Sequence, residues 1–416
     1  MTRLAALIAG LALALAGCAT AAIPPTPQNT GPTSIRFQSL AFQSTSVAAT
    51  KKIVDDWNAA RPDIAVSLRQ GSFESVHSQL VTQFMAGTAP DVIHDESADI
   101  TGFARQGYLA DLGPHLSTAT RSAIPAGIWD TVTVDGKIVA VPTMLQSYVV
   151  FANPALLGEV PTGESLSWDA LAALARRATT GSVKGLGWGL RQPTAPVMSL
   201  GMNFGARYFN GDDIAVGDAE LELPRRIHDM AWVDGSLDTT SLTQSGSDVI
   251  KGFLNGRYAM VVAGSFIAQQ LTETAPPGFR WAVLPPLAGT SAHQSANPQT
   301  LSVPVDSPNI AQSVQFIENF VQAQNLAAVA QGEWLIPTSA PARAAVVAAT
   351  GGQDGWSATL AGAPNLIKAP FQSVQRYPQW KDQIATPALQ RYLGNKIDLA
   401  TLRIQLTDGW AQVSKR

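Results

Sequence analysis

The chain has 416 residues, of which 46% are hydrophobic and 14% charged, so a disordered or collagen-like chain is excluded. At about 150 residues per domain, this length predicts two or three domains with sizeable cores. Lys and Arg number 28 against 31 Asp and Glu, a net charge of −3, and the basic excess typical of nucleic-acid binders is absent. One cysteine excludes a disulfide framework and a thiolate-rich metal site.

The first predicted element is an export signal. Arg3 precedes an apolar run over residues 4–16, which is shorter than the ~20 residues that span a membrane. The run ends in Leu-Ala-Gly-Cys18, which resembles the bacterial lipobox, where the cysteine is diacylated and becomes the new N-terminus. We therefore predict a signal peptide over residues 1–17, lipidation of Cys18 and a lipid-anchored linker over residues 18–33, which is rich in Pro and Thr.

Strands and helices alternate after the linker. Alternating or buried apolar residues predict strands, and apolar residues at helical spacing predict helices. In chain order these are a strand over 35–40, a helix over 47–57, a strand over 64–68, a helix over 76–85, a strand over 91–93 and a helix through Phe103. This order favours a mostly parallel sheet with helices on its faces, where ligands bind beyond the carboxyl ends of the strands.

The following region is less regular. Its pattern predicts a hairpin over 132–141 with an Asp-Gly turn, a strand over 148–151, a helix over 168–176 and a strand over 258–262. The glycine-rich segment 185–189 lacks the last glycine of a dinucleotide-binding fingerprint. We interpret this segment as a flexible loop.

Several short motifs then occur in an order that is typical of one family. They are Pro90-Asp91-Val92, Gly107-Tyr108-Leu109, Asp135-Gly136-Lys137, Phe151-Ala152-Asn153, Ser167-Trp168, Phe253-Leu254-Asn255-Gly256-Arg257-Tyr258, Gly264-Ser265 and Trp281-Ala282-Val283-Leu284-Pro285. Together they resemble the extracellular solute-binding proteins, family 1, of bacterial ABC importers, the group that includes maltose-binding protein. The resemblance implies a periplasmic-binding-protein-like α/β fold, with two discontinuous lobes around a cleft and a hinge of crossing strands. We place the first lobe at 34–142 plus 287–332, and the second at 143–286 plus 333–416.

The same resemblance implies a function. The expected protein is an exported monomer, anchored by lipid to the outer face of the cytoplasmic membrane. It would capture a sugar, an amino sugar or a sugar or glycerol phosphate derivative between its lobes. It would then deliver this solute to ABC permease subunits driven by a cytoplasmic ATPase, with no cofactor. The lipoprotein form and the Arg-rich, Lys-poor composition look like actinobacterial binders of amino sugars or glycerophosphodiesters.

Enzyme motifs are absent from the sequence. It contains no Gly-x-Ser-x-Gly, no His-Glu-x-x-His and no phosphate-binding Gly-x-x-x-x-Gly-Lys-Ser/Thr loop. The five histidines share no metal-ligand spacing, and Asp212, Asp213 and Asp218 do not follow the EF-hand rule, so we expect neither a metal nor catalysis. Two alternatives stay open, a secreted lipoprotein glycosidase that would pair Glu96 with a distant carboxylate, and a sugar sensor without transport.

Hydroxyl-rich ligands are held by planar polar side chains and by aromatic faces, and each buried polar group must find a partner. We select side chains of these types beside predicted strand ends and lobe crossings. The ligand-binding candidates are Phe73, Asp95, Glu96, Gln146, Ser147, Trp188, Asn203, Gly264, Ser265, Trp334 and Arg376. Each has a structural alternative, namely core packing, helix capping, a linker role or a surface ion pair.

Arg376 is the most informative charged candidate. It belongs to Gln-Arg-Tyr-Pro, a segment that faces the cleft in the proteins this chain resembles. A guanidinium suits a phosphate, a carboxylate or a diol, whereas the tryptophan and carboxylate candidates favour a neutral or amino sugar. The sequence therefore leaves the ligand open between these classes.

Overall fold

Ten strands build the two larger sheets of the computed structural model, which describes residues 32–414, and four further pairs of short strands lie outside them. The predicted signal peptide, Cys18 and nearly all of the linker lie outside the described residues. In chain order the strands are β1 Thr33–Ser39, β2 Ile64–Gln70, β3 Val92–Glu96, β4 Ala140–Leu145, β5 Tyr148–Ala152, β6 Lys184–Trp188, β7 Tyr258–Gly264, β8 Ala282–Val283, β9 Gln299–Ser302 and β10 Ile336–Pro337.

Helices cover the faces of both sheets. They are α1 Ser44–Ala60, α2 Val76–Ala86, α3 Ser97–Arg105, α4 Thr118–Ala123, α5 Ala126–Trp129, α6 Pro154–Leu157, α7 Trp168–Ala178, α8 Thr194–Gly201, α9 Asp218–His228, α10 Gly246–Leu254, α11 Ile267–Thr274, α12 Ile310–Phe320, α13 Ala323–Glu333, α14 Ala340–Thr350, α15 Trp356–Ala361, α16 Tyr377–Trp380, α17 Thr386–Leu393 and α18 Leu399–Ser414. The predicted strand–helix alternation over the first hundred residues is confirmed. No helix among residues 32–414 is both long and apolar enough to cross a membrane.

The first sheet has six strands in the order β10-β4-β9-β3-β1-β2. β1 pairs in parallel with β2 and with β3, and β9 is antiparallel to both β3 and β4. Its core is aromatic on one face, because Phe37 lies edge-on to Phe316 with ring centroids 5.3 Å apart, and Trp57 packs against Phe316 at 5.6 Å. Burying large rings in this way contributes much of the stability of a core.

The second sheet has four strands in the order β8-β5-β7-β6. β7 is antiparallel to β5 and parallel to β6. Residues of β5, β6 and β7 belong to a second core, together with α7 and the C-terminal helices. Ser167 caps the N-terminus of α7, since its Oγ accepts a hydrogen bond from the Ala170 N–H at 3.1 Å.

The prediction that residues 185–189 form a flexible loop is wrong. Most of this segment is the buried strand β6, and its glycines allow close packing. A Cβ on Gly185 would lie within 2 Å of the Ala175 carbonyl oxygen, and a Cβ on Gly187 would lie 2.7 Å from the Tyr258 ring. The glycines therefore serve close helix–strand and strand–ring contacts rather than mobility.

The chain passes between the sheets three times. It leaves β4 at Leu145 and enters β5 at Tyr148, returns between β8 and β9, and leaves the first sheet again after β10. The first sheet thus extends to Leu145 and takes in β10, whereas the sequence places the crossings at 142/143 and 332/333. The assignment of residues to two lobes stays a prediction.

Candidate functional site

Polar residues lie at the ends of several neighbouring strands along one edge of the first sheet, which we call the polar edge. β3 and β4 run in the same direction, and β9 runs antiparallel between them, so that Gln299 at the start of β9 pairs with both Glu96 and Met144. The crossing residues Gln146 and Ser147 leave β4 at this same edge. Four of the predicted ligand contacts, Asp95, Glu96, Gln146 and Ser147, therefore lie along one edge that faces the second sheet.

Asp95 is the most unusual residue of this edge. It lies in the last part of β3, not after the strand as the sequence suggests, and it is 1% exposed. Its Oδ1 accepts a hydrogen bond from the Glu96 N–H at 2.8 Å, but its buried Oδ2 has no partner within residues 32–414. Burial, reinforced by the negative charge of Asp99, raises the pKa of Asp95 to about 8. At neutral pH this carboxyl is largely protonated and can both donate and accept a hydrogen bond.

Glu96 is held by a residue that the sequence analysis missed. The Asn297 Nδ2 donates to Glu96 Oε2 at 3.0 Å, and the Asn297 Oδ1 accepts from Ser97 Oγ at 2.8 Å. Burial raises the pKa of Glu96, while the Asn297 hydrogen bond opposes this shift. Asn297 lies in an Ala-Asn-Pro segment of the second crossing, and the proline beside a polar residue is the one signal that could have marked it.

Ser147 and Ser265 join the first crossing to the end of β7. The Ser265 N–H donates to the Ser147 carbonyl oxygen at 2.8 Å, and both residues are almost fully buried. The Ser147 Oγ has no partner in the described part of the chain. Gly264 pairs with Tyr148 and lies close to the Phe266 ring, which an added Cβ would approach to 2.4 Å. The structure thus brings Ser147, Gly264 and Ser265 together.

A cavity of about 500 Å³ adjoins this edge between α3 and residues 368–381. Arg376 lines the cavity, and its guanidinium makes no hydrogen bond or ion pair with residues 32–414. Lys368, which also lines it, donates from Nζ to the Asp130 carbonyl oxygen at 2.7 Å, and burial lowers the pKa of Lys368. Arg376 is therefore a half-buried cation that is available to a ligand.

Two aromatic candidates flank the edge. Phe73 is partly buried and lies edge-on to His94, with ring centroids 6.2 Å apart. Trp334 ends α13 with a φ of +54°, a left-handed conformation that is rare for a bulky side chain. Its ring stacks on Trp356 at 4.9 Å, and only 9% of Trp334 is exposed.

Two other candidates lie in the second core instead. Trp188 is 2% exposed and stacks against Trp168 at 6.2 Å. Asn203 is fully buried, with its Oδ1 accepting from Trp168 Nε1 at 2.9 Å and its Nδ2 donating to the His293 carbonyl oxygen at 2.8 Å. Trp168 also lines an open groove of about 530 Å³ beside Phe204. The structure does not bring Trp188 and Asn203 to the polar edge.

Tyrosines near the edge were also missed. The hydroxyl of Tyr377 lies 3.7 Å from the Met198 sulfur. Burial raises the pKa of Tyr377 and of Tyr148, so both stay neutral hydrogen-bonding groups. Their places directly after Arg376 and Ser147 in the sequence could have marked them. No group of three or more His, Cys, Asp or Glu side chains between residues 32 and 414 is arranged to hold a metal ion.

Helices cover both sheets, and the polar strand ends of the first sheet face the second. This arrangement is that of a two-lobed α/β binding protein. The sequence matches the model of the family described as bacterial extracellular solute-binding protein over residues 41–327. This chain therefore belongs to that family, whose members bind solutes. It is 40% identical, over 97% of its length and 90% of the relative, to an uncharacterised lipoprotein in the oleD 5' region of Streptomyces antibioticus.

Solved structures confirm the predicted periplasmic-binding-protein-like α/β fold. The cyclic alpha-maltosyl-1,6-maltose binding protein from Arthrobacter globiformis superposes with a TM-score of 0.80 at 16% identity, covering 92% of this chain and 100% of that one. The sugar-binding protein MalE from Xanthomonas citri gives a TM-score of 0.78 at 18% identity, covering 92% of this chain and 98% of that one. At these identities the likeness concerns the fold alone.

Proposed function

We propose that this chain is the substrate-binding lipoprotein of an ABC importer, which captures a carbohydrate between its two lobes and delivers it to a membrane permease. One observation carries the proposal. Asp95 Oδ2 and Ser147 Oγ are buried at the polar edge and have no partner among residues 32–414. A buried polar group without a hydrogen bond is costly, and a solute rich in hydroxyl groups would supply the missing partners.

The comparisons support the carbohydrate class. One protein with this fold is named for binding cyclic alpha-maltosyl-1,6-maltose and another is named a sugar-binding protein, and the relative from Streptomyces antibioticus is named a lipoprotein. In this site the protonated carboxyl of Asp95 and the Ser147 hydroxyl can each donate and accept, as ring hydroxyls require. Glu96, Gln146 and Ser265 add further polar groups along the same edge.

Arg376 adds a positive charge on the side of the second lobe. Its unpaired guanidinium in the cavity beside α3 suits an anionic group or a diol of the solute. The solute would contact residues from both lobes, and such contacts are made together only when the lobes are closed. In this proposal the cleft binds the solute and does not catalyse a reaction.

Ligand screening tests the proposal. A thermal-shift screen over neutral sugars, amino sugars, sugar phosphates and glycerophosphodiesters should raise the melting temperature with at least one class, because ligand binding stabilises the native state. A hit that is also hydrolysed in a reducing-sugar assay would make the protein a glycosidase instead. A screen without any carbohydrate hit would contradict the proposal.

The lipid anchor is tested separately. Cys18→Ala should move the exported protein from the membrane fraction to the soluble fraction, because the acyl chains would be lost. Immunoblots of fractionated cells measure the distribution, with the unchanged protein as the reference. Unchanged membrane association would contradict acylation of Cys18.

A further inference from the structure

An exposed phenylalanine stands at the carboxyl end of β1. Phe42 is 53% exposed, and its ring lies edge-on to Phe73, with centroids 6.4 Å apart. The two rings border an open groove of about 500 Å³ at the ends of β1 and β2. Glu74 is the one charged residue among those lining this groove, so it suits an uncharged group.

The backbone under this ring is held by side chains from three other elements. The Leu40 N–H donates to His94 Nδ1 at 3.0 Å, and the Phe42 N–H donates to Glu333 Oε1 at 2.9 Å. Between them, the Ala41 carbonyl oxygen accepts from Gln70 Nε2. Three consecutive residues are thereby fixed by β3, α13 and β2, an arrangement that presents an exposed ring rigidly.

Glu333 connects this segment to the start of α1. It is 1% exposed and accepts a second hydrogen bond from Ser46 Oγ at the start of α1. Burial raises the pKa of Glu333, the hydrogen bonds from Ser46 and from the Phe42 N–H oppose this shift, and Glu333 Oε2 has no partner within residues 32–414. Rigid presentation lowers the ordering cost when a ligand packs against the ring.

The groove lies at the same end of the first sheet as the polar edge, because β2, β1 and β3 are parallel neighbours whose carboxyl ends lie side by side. Phe73 packs edge-on against His94, which precedes Asp95 in β3 and whose Nε2 lies 2.9 Å from Gln299 Oε1. A solute that extends from the end of β3 across the end of β1 would therefore reach the aromatic groove. A volume of a few hundred Å³ lined mainly by apolar and aromatic groups is typical of small-molecule sites.

We infer that the groove between Phe42 and Phe73 is a subsite for an apolar substituent of the solute, such as the aryl or alkyl aglycone of a glycoside. This inference rests on the proposed function, since the sugar part binds at the polar edge. Phe42 supplies the contact surface, and Glu333 is a positioning residue that fixes the backbone of Phe42.

Matched glycoside pairs test the inference. Calorimetric titration with the methyl and 4-nitrophenyl glycosides of glucose, galactose, N-acetylglucosamine and maltose gives a ratio of affinities for each pair. In the unchanged protein at least one aryl glycoside should bind about tenfold more tightly than its methyl partner, because the ring is removed from water. Phe42→Ala should reduce this ratio to about 1–2, and Phe42→Leu should keep part of it.

The control is Ile404→Ala on α18, which removes a side chain of similar exposure, 58%, and should leave the ratio unchanged. Glu333→Ala should lower the ratio, whereas Glu333→Gln, which keeps an acceptor oxygen, should preserve it. Equal affinity within every pair, or a ratio that survives Phe42→Ala, would overturn the aromatic subsite alone. If no member of any pair bound, the glycoside subsite would be overturned, whereas the proposed carbohydrate function would fail only if the thermal-shift screen also gave no hit.

Discussion

Two regions carry polar residues that the sequence marks as ligand contacts, and they differ in their hydrogen bonds. In the second core, both polar atoms of the Asn203 side chain are bonded, to Trp168 and to the His293 carbonyl oxygen. At the polar edge, Asp95 Oδ2 and Ser147 Oγ have no partner in the part of the chain that the structure describes. A completed set of bonds identifies a structural residue, whereas an incomplete set at a cleft indicates a place for a ligand.

The largest effect on stability is expected at Asn203. Asn203→Ala removes two buried hydrogen bonds and leaves the Trp168 Nε1–H unpaired, so the free energy of unfolding should fall by about 2–4 kcal/mol. Urea unfolding measures the loss. Asn210→Ala, at an exposed position, should change stability by less than about 0.5 kcal/mol. If Asn203→Ala lowered the free energy of unfolding only slightly, Asn203 would not be a structural residue, and the proposed difference between the two regions would be contradicted.

Arg376→Ala should act on affinity instead. If the guanidinium holds an anionic group or a diol, its loss should weaken binding by roughly 2–4 kcal/mol, about thirty-fold to several hundred-fold, while the fold survives. Arg376→Lys should restore only part of the affinity, because a point charge does not reproduce a bidentate fork.

Titration with the solute found by screening measures this change. Arg280→Ala, at an exposed arginine just before β8, provides the control and should leave affinity unchanged. Unchanged affinity in Arg376→Ala would remove Arg376 from the site and favour a neutral sugar.

The raised pKa of Asp95 makes stability depend on pH. In the folded state the Asp95 carboxyl keeps its proton up to a pH of about 8, whereas in the unfolded state it loses this proton near pH 4. The free energy of unfolding should therefore fall as the pH rises between these two values. One such proton contributes a slope of up to about 1.4 kcal/mol per pH unit. Asp95→Asn should flatten the profile, as urea unfolding at a series of pH values would reveal.

The matched variant for this profile is Asp55→Asn, since Asp55 is an exposed carboxylate on α1 that pairs with Lys51. It should leave the slope as it is in the unchanged protein. A profile that stays equally steep after Asp95→Asn would assign the titration to other groups, Glu96 first among them.

Ser147→Ala should have the smallest effect and sharpen the comparison. Because its hydroxyl has no partner, its removal should change stability by less than about 0.5 kcal/mol, yet weaken solute binding about three- to tenfold. Ser302 is the matched control, since its buried Oγ also lacks a partner within residues 32–414, but it pairs with Ala140 at the far end of β4. Ser302→Ala should leave affinity unchanged. Equal effects of the two variants would show that missing partners alone do not locate the site.

Much of the fold could be predicted because it follows from local patterns. The strands and helices from Thr33 to Arg105 show clear periodicity, and the turn residues around them are standard. The prediction of a loop at Lys184–Trp188 is wrong because the glycines of this strand allow the close approach of Ala175 in α7 and of Tyr258 in the neighbouring strand β7, which lies about 70 residues away along the chain. The periodicity of apolar residues along the sequence does not predict such contacts between separate elements.

The site was predicted less completely for the same reason. Asp95 and Ser147 stand out in sequence by their positions at strand ends, but so does Asn203, and only three-dimensional hydrogen bonding separates them. Asn297 and Phe42 were missed, because their roles depend on Glu96 and Glu333, which lie about 200 and 290 residues away along the chain. A pattern read along one segment cannot supply partners at that distance.

The central claim is that the solute binds at the polar edge. A crystal structure of the protein with the carbohydrate found by screening tests it directly. The account predicts solute oxygen atoms within hydrogen-bonding distance of Asp95 Oδ2 and Ser147 Oγ, between the two sheets. A solute found instead in the groove beside Trp168 and Phe204, with both atoms of the edge still unpaired, would contradict it.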